Sequence, residues 1–160
     1  MRRYLGMTMV SAITIAALAG AAIGDSHADK AAQAAIKARQ AQMQLQAYNL
    51  GILGEMAKGT IAYDATVAAA AATNLNLLAN FDQTMTWPDG TMQGFAEETR
   101  AAPEIWSDAA GFADEWAKLA VATEAMKAAA GTDLAALQAS IGAVGASCGS
   151  CHKAYRGPEN

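Results

Sequence analysis

The chain has 160 residues, about one domain's worth, and 53% of them are hydrophobic. Its 11 basic and 15 acidic side chains give a net charge of −4, and no stretch of the sequence concentrates Lys and Arg. Because binding to phosphates requires clustered cations, this composition argues against a nucleic-acid partner.

The first 28 residues have the pattern of a secretory signal. Arg2 and Arg3 precede an apolar, uncharged run over residues 7–24, and small residues suited to signal peptidase end at Ala28. The alternative is an uncleaved membrane anchor, because the run approaches the ~20 residues of a spanning helix. Its Ala and Gly content and the cleavage site favour the signal peptide. We expect export to the periplasm and one mature domain, 29–160, with 9 basic and 14 acidic side chains and a net charge of −5.

The mature sequence is rich in Ala and shows helical rather than strand periodicity. A first helix is predicted over about residues 31–57 and a second over about residues 63–78. The predicted inward positions are Ile36, Met43, Leu50 and Leu53 in the first helix and Tyr63, Val67, Ala70 or Ala71, Asn74 and Leu77 or Leu78 in the second.

Residues 79–102 lose this periodicity and contain turn-forming Pro and Gly, which predicts a long crossover loop. Pro103 is expected to begin a third helix that ends at Gly131, and Thr132 is the predicted N-cap of a fourth. The predicted inward positions are Ile105, Phe112, Trp116, Leu119 and Met126 in the third helix and Leu134, Leu137, Ile141, Val144, Cys148, Cys151 and Tyr155 in the fourth. Four apolar stripes favour an all-α, antiparallel four-helix bundle.

One motif carries chemistry: Cys148-Gly-Ser-Cys151-His152, near the end of the fourth predicted helix. C-x-x-C-H is the attachment signature of haem c, in which two thiols add across the vinyl groups of the porphyrin and the imidazole binds iron. Spacings of three and four residues place these side chains on one helical face. Since His27 lies in the signal, His152 is the only histidine of the mature chain, and a second imidazole cannot complete the iron.

Other functions of the two cysteines fit less well. A disulfide would suit an oxidising compartment, and a thiol-disulfide oxidoreductase using Cys148 and Cys151 is the enzymatic alternative. That chemistry favours a βαβ setting, with the motif at a helix N-terminus. A structural zinc site normally has four ligands, whereas Cys148, Cys151 and His152 supply three. We therefore predict one covalent haem and a carrier rather than an enzyme.

The sequence from Cys148 to Arg156 resembles the C-terminus of class II cytochromes c, the family of cytochrome c′ and the cytochrome c-556-like proteins. The resemblance extends over the mature chain through four further segments. These are Ala38-Arg39-Gln40, Tyr63-Asp64-Ala65, Pro103-Glu104-Ile105-Trp106 and Val144-Gly145-Ala146. It implies a four-helix bundle with covalently bound haem c.

The resemblance also implies roles for several further residues. Arg39 would lie near a haem propionate, with Gln40 at the same edge, and Thr99 and Arg100 would contact the haem from the crossover loop. Arg156, four residues after His152, would reach the proximal side or a propionate, although a cation at a helix C-terminus is also favoured by the helix dipole alone.

Met43 leaves two functions open within the family. Class II members place an apolar side chain over the distal face of the iron, where an open site can bind nitric oxide or carbon monoxide. Low-spin relatives use a first-helix methionine as the sixth ligand, which favours simple electron transfer. Helical methionines usually pack in the core, which favours the open site. The expected partners are redox proteins, possible small gases and a second copy of the chain, because cytochromes c′ commonly pair through their first two helices.

Overall fold

The computed structural model describes the backbone of residues 19–159 and the side chains of residues 27–159. The described residues form five helices: α1 (Ala19–Lys58), α2 (Ala65–Ala79), α3 (Glu104–Ser107), α4 (Ala109–Ala129) and α5 (Leu134–Tyr155). This part of the chain contains no strand. The unit comprising residues 32–160 contains the predicted all-α four-helix bundle, which is formed by α1 from residue 32 onwards together with α2, α4 and α5. Most of the predicted signal segment, residues 1–18, lies outside the described residues.

Aspartates fix the starts of three helices. Asp64, Asp108 and Asp133 each accept a hydrogen bond from the backbone amide three residues later, which satisfies one of the free N–H groups at the start of α2, α4 or α5. The predicted N-cap Thr132 is therefore wrong by one residue. The predicted continuous third helix is also wrong: at Asp108 the backbone leaves the helical region (φ −127°, ψ 56°) and separates α3 from α4.

The predicted inward face of α2 is only partly right: Ala71 is buried as predicted, but Val67, Asn74 and Leu77 are exposed. Val67 and Leu77 are 42% and 65% exposed. Six positions of this helix are buried, and four of them are alanines. The buried residues are Ala68, Ala71, Ala72, Leu75, Asn76 and Ala79. Alanine side chains allow close packing of helices, and they make up most of the buried face of α2. Tyr63 precedes α2 and fastens it to the end of α4, because its hydroxyl donates to the Ala130 carbonyl (2.9 Å).

The predictions for the other helices agree better with the core. Its buried members include residues from all four long helices: Leu53, Met56, Leu75, Leu119, Met126, Leu137 and Val144. Gly131 lies where the link between α4 and α5 meets α2, and a Cβ at this position would be only 2.8 Å from that of Ala69. A larger residue at position 131 would separate these elements.

The predicted crossover loop is confirmed between α2 and α3. Its last part pairs with the C-terminal segment: the Gly157 amide donates to the Arg100 carbonyl (2.7 Å), and the Ala102 amide donates to the Tyr155 carbonyl (3.1 Å). The loop therefore lies against the end of α5 that carries the Cys-x-x-Cys-His motif.

Candidate haem-attachment site

The motif occupies the last two turns of α5. Cys148, Cys151 and His152 are all partly buried, and both thiols are free. Helical spacing directs the three side chains to one side of α5. The last turn is closed by the Arg156 amide, which donates to the His152 carbonyl (3.2 Å). The two thiols and the imidazole are thus presented together on a regular helix.

Two cavities adjoin the motif. The outer cavity, of about 890 Å³, includes Cys151 and His152 in its wall, together with residues from α1, the crossover loop and the C-terminal segment. The inner cavity, of about 140 Å³, is lined by Met43, Gln46, Ala47, Leu50, Leu75, Leu119, Thr123, Val144, Cys148 and His152. Among the residues that the structure describes, only Met43 and His152 line both cavities. A group attached to the motif would therefore extend from an apolar interior to the surface.

Arg39 is a buried cation in the wall of the outer cavity, with only 3% of its surface exposed. Its Nη1 donates to the Thr86 carbonyl (3.1 Å) and the Thr91 hydroxyl (2.8 Å), while its Nη2 donates to the Thr91 carbonyl (2.5 Å) and the Thr99 hydroxyl (2.8 Å). The guanidinium also lies 4.6 Å from the centroid of the Trp87 ring. We call Arg39 with these three threonines the Arg39 cluster. It fastens the crossover loop to α1.

The charge of Arg39 has no carboxylate partner within the part of the chain that the structure describes. Burial lowers its pKa to about 10, which leaves the guanidinium protonated at neutral pH. A buried, unpaired cation is costly unless an anion neutralises it. A carboxylate on a bound group, such as a haem propionate, would supply that charge.

The other predicted haem contacts also gather at the outer cavity. Gln40 donates to the Glu98 carbonyl (2.5 Å), and Glu98 adopts a positive φ of 56°. Arg100 donates through Nε to the Gly157 carbonyl (2.8 Å) and pairs with Glu159 (2.9 Å). Together with Thr99 and Arg156, these residues line the cavity that contains His152.

The electrostatics of the motif favour a neutral imidazole and protonated thiols. Burial, with smaller contributions from Arg156 and Arg100, lowers the pKa of His152, and neutral imidazole is the form that binds a metal. Burial raises the pKa of Cys148, and burial together with the Glu115 charge and Cys148 raises that of Cys151 to about 11. A catalytic dithiol requires a lowered pKa. The site therefore does not support the oxidoreductase alternative.

Aromatic residues complete the wall between the crossover loop, α4 and α5. Phe112 packs edge to face against Trp87 and Tyr155, with ring centroids 5.0 and 5.3 Å away. The Tyr155 hydroxyl donates to Asp108 (2.7 Å). The Asp108 carboxylate also caps α4, so this bond ties the end of α5 to the start of α4.

The motif and the resemblance did not indicate every residue of the site. Thr86, Thr91, Gln46 and Asp108 went unnoticed because threonine, glutamine and aspartate are common in loops and on helix surfaces. The one available signal was the unusual density of glutamine in α1, at positions 40, 42, 44 and 46. The zinc alternative gains no support, since the described residues contain no group of three His, Cys, Asp or Glu side chains suited to a metal ion.

The residues present fit haem c. Two thiols and an imidazole share a helical face, and the interior behind them is apolar. The buried Arg39 guanidinium could be neutralised by a haem propionate. The sequence profile described as cytochrome C′ matches residues 34–156. The chain belongs to the cytochrome c′ family.

Relatives within the cytochrome c′ family match most of the chain. A cytochrome c-554 of Cereibacter sphaeroides is 46% identical over 121 residues, which cover 76% of this chain and 91% of the relative. A cytochrome c′ of the same species is 36% identical over 156 residues and covers 98% of both chains.

Solved structures of cytochromes c′ share the fold. A cytochrome c′ from Rhodobacter sphaeroides has a TM-score of 0.77 at 35% identity and covers 80% of this chain and 98% of its own. Two variants from Alcaligenes xylosoxidans, both 36% identical, were solved with nitric oxide (TM-score 0.70, covering 80% of this chain and 97% of its own) and with carbon monoxide (TM-score 0.69, covering 79% and 97%). Membership of this family implies an electron-transfer protein with covalently bound haem c.

Proposed function

We propose that the chain is an exported cytochrome with a single haem c, and that it carries one electron between redox proteins. One observation carries this proposal: both thiols and the imidazole of the motif lie in the walls of two adjoining cavities. Cys148 and Cys151 would form the thioether links, and His152 would be the proximal ligand. When bound, the haem supplies an iron that accepts and donates one electron.

The chain's own residues would hold the haem and limit the access of water. Arg39 would neutralise propionate charge at the outer cavity, with Arg100 and Arg156 nearby. Trp87 and Phe112 would shield the outer part of the haem, and the apolar residues of the inner cavity would surround its interior part. A non-polar, water-poor setting of this kind is one of the means by which a protein adjusts a haem's reduction potential.

Covalent attachment is tested in a host that carries out cytochrome c maturation. Wild-type protein should show a Soret band and keep its haem after denaturation, as seen in its intact mass. Cys148→Ala and Cys151→Ala should each lose one thioether link, and Ser147→Ala, a change in the same helix at a hydroxyl that donates to the Ala143 carbonyl, should retain both. Wild-type protein without covalent haem, or normal attachment in Cys148→Ala, would overturn the proposal.

The distal side of the iron has two candidate arrangements. An open site for small gases is supported by the apolar wall of the inner cavity and by the nitric oxide and carbon monoxide complexes of related structures. Ligation by Met43 is supported by its position, because Met43 and His152 are the two residues that line both cavities. We favour the open site because thioethers in helices usually serve packing.

Carbon monoxide distinguishes these arrangements. For an open site, the spectrum of the reduced protein should shift on addition of the gas, and Met43→Leu should leave the spectrum of the gas-free protein unchanged. A sharp low-spin α band that carbon monoxide does not alter, and that Met43→Leu abolishes, would establish Met43 as the sixth ligand.

Export is proposed from the signal pattern of residues 1–28. It is supported by the limits of the bundle, since the unit that contains it begins at residue 32 and would survive cleavage after Ala28. The mature protein recovered from the periplasm should have the mass of a chain starting at Asp29 plus one haem. Cytoplasmic retention, or a mass that includes the first 28 residues, would contradict the proposal.

A homodimer through α1 and α2 is proposed from their exposed apolar side chains. Tyr48 on α1 and Leu77 on α2 are 67% and 65% exposed, and a second copy packed on these two helices would bury them. Sedimentation should show a dimer that Tyr48→Glu combined with Leu77→Glu converts to a monomer. Val121→Glu, at an exposed site on α4, is the matched control. A wild-type monomer at high concentration would refute the dimer.

A further inference from the structure

Tyr155 combines a place in the wall of the outer cavity with a hydrogen bond to a carboxylate. It lines that cavity together with His152, which precedes it by three residues on α5, and only 8% of its surface is exposed. Its hydroxyl donates to Asp108 across 2.7 Å, and Asp108 is exposed at the protein surface. Because the outer cavity is the space proposed to hold the haem, Tyr155 would adjoin both the haem and a base that exchanges protons with solvent.

The protonation states of this pair suit a proton transfer that accompanies oxidation. The hydrogen bond to Asp108, followed by burial, raises the pKa of Tyr155 to about 12, and bonds from Tyr155 and Gly111 lower the pKa of Asp108. At neutral pH the pair is therefore a phenol beside a carboxylate. A phenol that has lost an electron is a strong acid, so its proton would pass along the existing hydrogen bond. The product would be a neutral radical beside a neutral acid, which leaves no unpaired charge in the interior.

Trp87, the other readily oxidised aromatic residue in the described wall of the outer cavity, lacks this arrangement. The Arg39 guanidinium lies 4.6 Å from the centroid of its ring, and a cation so close opposes the loss of an electron. Its indole N–H donates to the Gln83 side-chain oxygen (3.0 Å), which belongs to a neutral amide and is a very weak base. The surrounding charges therefore favour Tyr155 over Trp87 as the residue that gives up an electron.

We propose that Tyr155 donates one electron to the haem when hydrogen peroxide reacts there, and that Asp108 accepts the phenolic proton. Reduction of peroxide breaks its O–O bond and takes two electrons, one from the iron and one from Tyr155, while protons from water bring both oxygens to the oxidation level of water. The O–H bond of Tyr155 breaks, and a neutral tyrosyl radical remains. Two electrons from redox proteins then restore the iron and, with the proton from Asp108, the phenol. The inference rests on the proposed haem at His152 and adds a peroxide-consuming activity to electron transfer.

The test uses haem-loaded protein with Met43→Ala, so that peroxide reaches the iron whichever distal arrangement holds. Samples frozen at intervals after addition of peroxide are measured by electron paramagnetic resonance, and ring-deuterated tyrosine identifies a tyrosyl signal by its narrowing. Tyr155→Phe should lose this signal. Tyr63→Phe is the matched control and should keep it, because the Tyr63 hydroxyl donates to a neutral carbonyl and the residue lines neither cavity. Asp108→Asn keeps an oxygen acceptor but removes the base, so the radical should form roughly 100-fold more slowly.

A second variant keeps the test decisive if Tyr155→Phe does not load with haem. Tyr48→Phe combined with Tyr63→Phe leaves Tyr155 as the only tyrosine after residue 28, and this protein should still give the full signal. A loaded parent without a tyrosyl signal, a signal that survives in Tyr155→Phe, or one that is lost in the double variant would overturn the inference while leaving the haem proposal intact. A wild-type chain without covalent haem would overturn the proposed function and, with it, this inference.

Discussion

Tyr155 and Asp108 form a contact that connects the helix carrying the haem motif with the start of α4. The Tyr155 hydroxyl donates to Asp108 across 2.7 Å, and the same carboxylate accepts the Gly111 amide across 3.1 Å. The carboxylate therefore serves both a tertiary contact and a helix cap. Changes at any of these three residues should affect the site through its scaffold.

The Tyr155 bond should make stability depend on pH at both extremes. The hydrogen bond to Asp108, followed by burial, raises the pKa of Tyr155 from 10.0 to about 12, so its contribution is complete below pH 10 and is lost as the pH rises through 12. Bonds from Tyr155 and Gly111 lower the pKa of Asp108 below 3.8, so its contribution is complete above that pH and is lost on further acidification.

Tyr155→Phe tests this pH dependence. The difference in free energy of unfolding between wild type and variant should be constant near neutrality and shrink between pH 10 and 12, and again below about pH 3.8. Urea unfolding across the pH range measures it. Tyr48→Phe, at an exposed position, is the control and should give no such dependence. A constant difference for Tyr155→Phe at all pH values would contradict the hydrogen bond.

Gly111→Ala should destabilise the protein by about 1–3 kcal/mol through overpacking. A Cβ at position 111 would overlap an Asp108 carboxylate oxygen and the Tyr155 hydroxyl, so the two groups would have to move away. Gly142→Ala is the matched control in α5, where nothing lies within 4 Å of a new Cβ. It should be stabilising by roughly 0.5–1 kcal/mol, the usual preference for Ala over Gly in a helix. Equal urea midpoints for the two variants would refute this account.

At the level of elements, the crossover loop depends on α1 rather than on its own secondary structure. Arg39 supplies four hydrogen bonds to Thr86, Thr91 and Thr99, so a single side chain holds both halves of the loop. The loop in turn supplies Trp87 and Arg100 to the outer cavity. The site's outer wall is therefore positioned by one buried cation.

Arg39→Gln should release this loop. Loss of several charge-assisted hydrogen bonds should lower the free energy of unfolding by about 2–4 kcal/mol. Amide hydrogen exchange should increase over residues 86–99 while the helices stay protected. Arg39→Lys should not restore protection, since an ammonium group cannot reproduce the planar set of donors. Lys37→Gln, at an exposed position on the same helix, should exchange like wild type, and an Arg39→Gln loop that stays protected would count against the Arg39 cluster.

Local signals in the sequence predicted some elements well and others poorly. The Cys-x-x-Cys-His motif and the large apolar residues of α1, α4 and α5 have strong chemical or periodic patterns, so the position of the motif on the last helix and three helical faces were predictable. The buried face of α2 was not predictable in the same way, because alanine suits a buried and an exposed position equally well. Val67, a larger apolar residue, was therefore assigned to the interior, although it is 42% exposed. The break at Asp108 was also hidden, since aspartate occurs both within helices and at their starts, and its bond to Tyr155 joins residues 47 positions apart.

Contacts distant in sequence were beyond prediction from local pattern. Arg39 was expected at a propionate, but nothing in the sequence links it to Thr91, 52 residues away. The inner cavity depends equally on residues from all four long helices. These features appear only once the bundle brings the helices together.

At the level of the whole molecule, the haem should contribute to the stability of the bundle. Without it, the outer and inner cavities of about 890 and 140 Å³ would separate the motif from α1 and the loop. A group that binds only the folded state raises the free energy of unfolding. Protein produced without haem maturation should therefore unfold at a lower temperature than loaded protein, with much of its helix retained in circular dichroism. Identical midpoints for the two forms would exclude this coupling.

The Arg39 cluster also bears on the order in which the molecule folds. Its hydrogen bonds join residues 47 to 60 positions apart, and closing so long a segment costs chain entropy before any bond forms. We therefore expect these contacts to form after the helices dock, outside the folding nucleus. Changes in contacts formed so late mainly alter the unfolding rate. The cluster should thus govern how long a folded molecule lasts, with little influence on how quickly it folds.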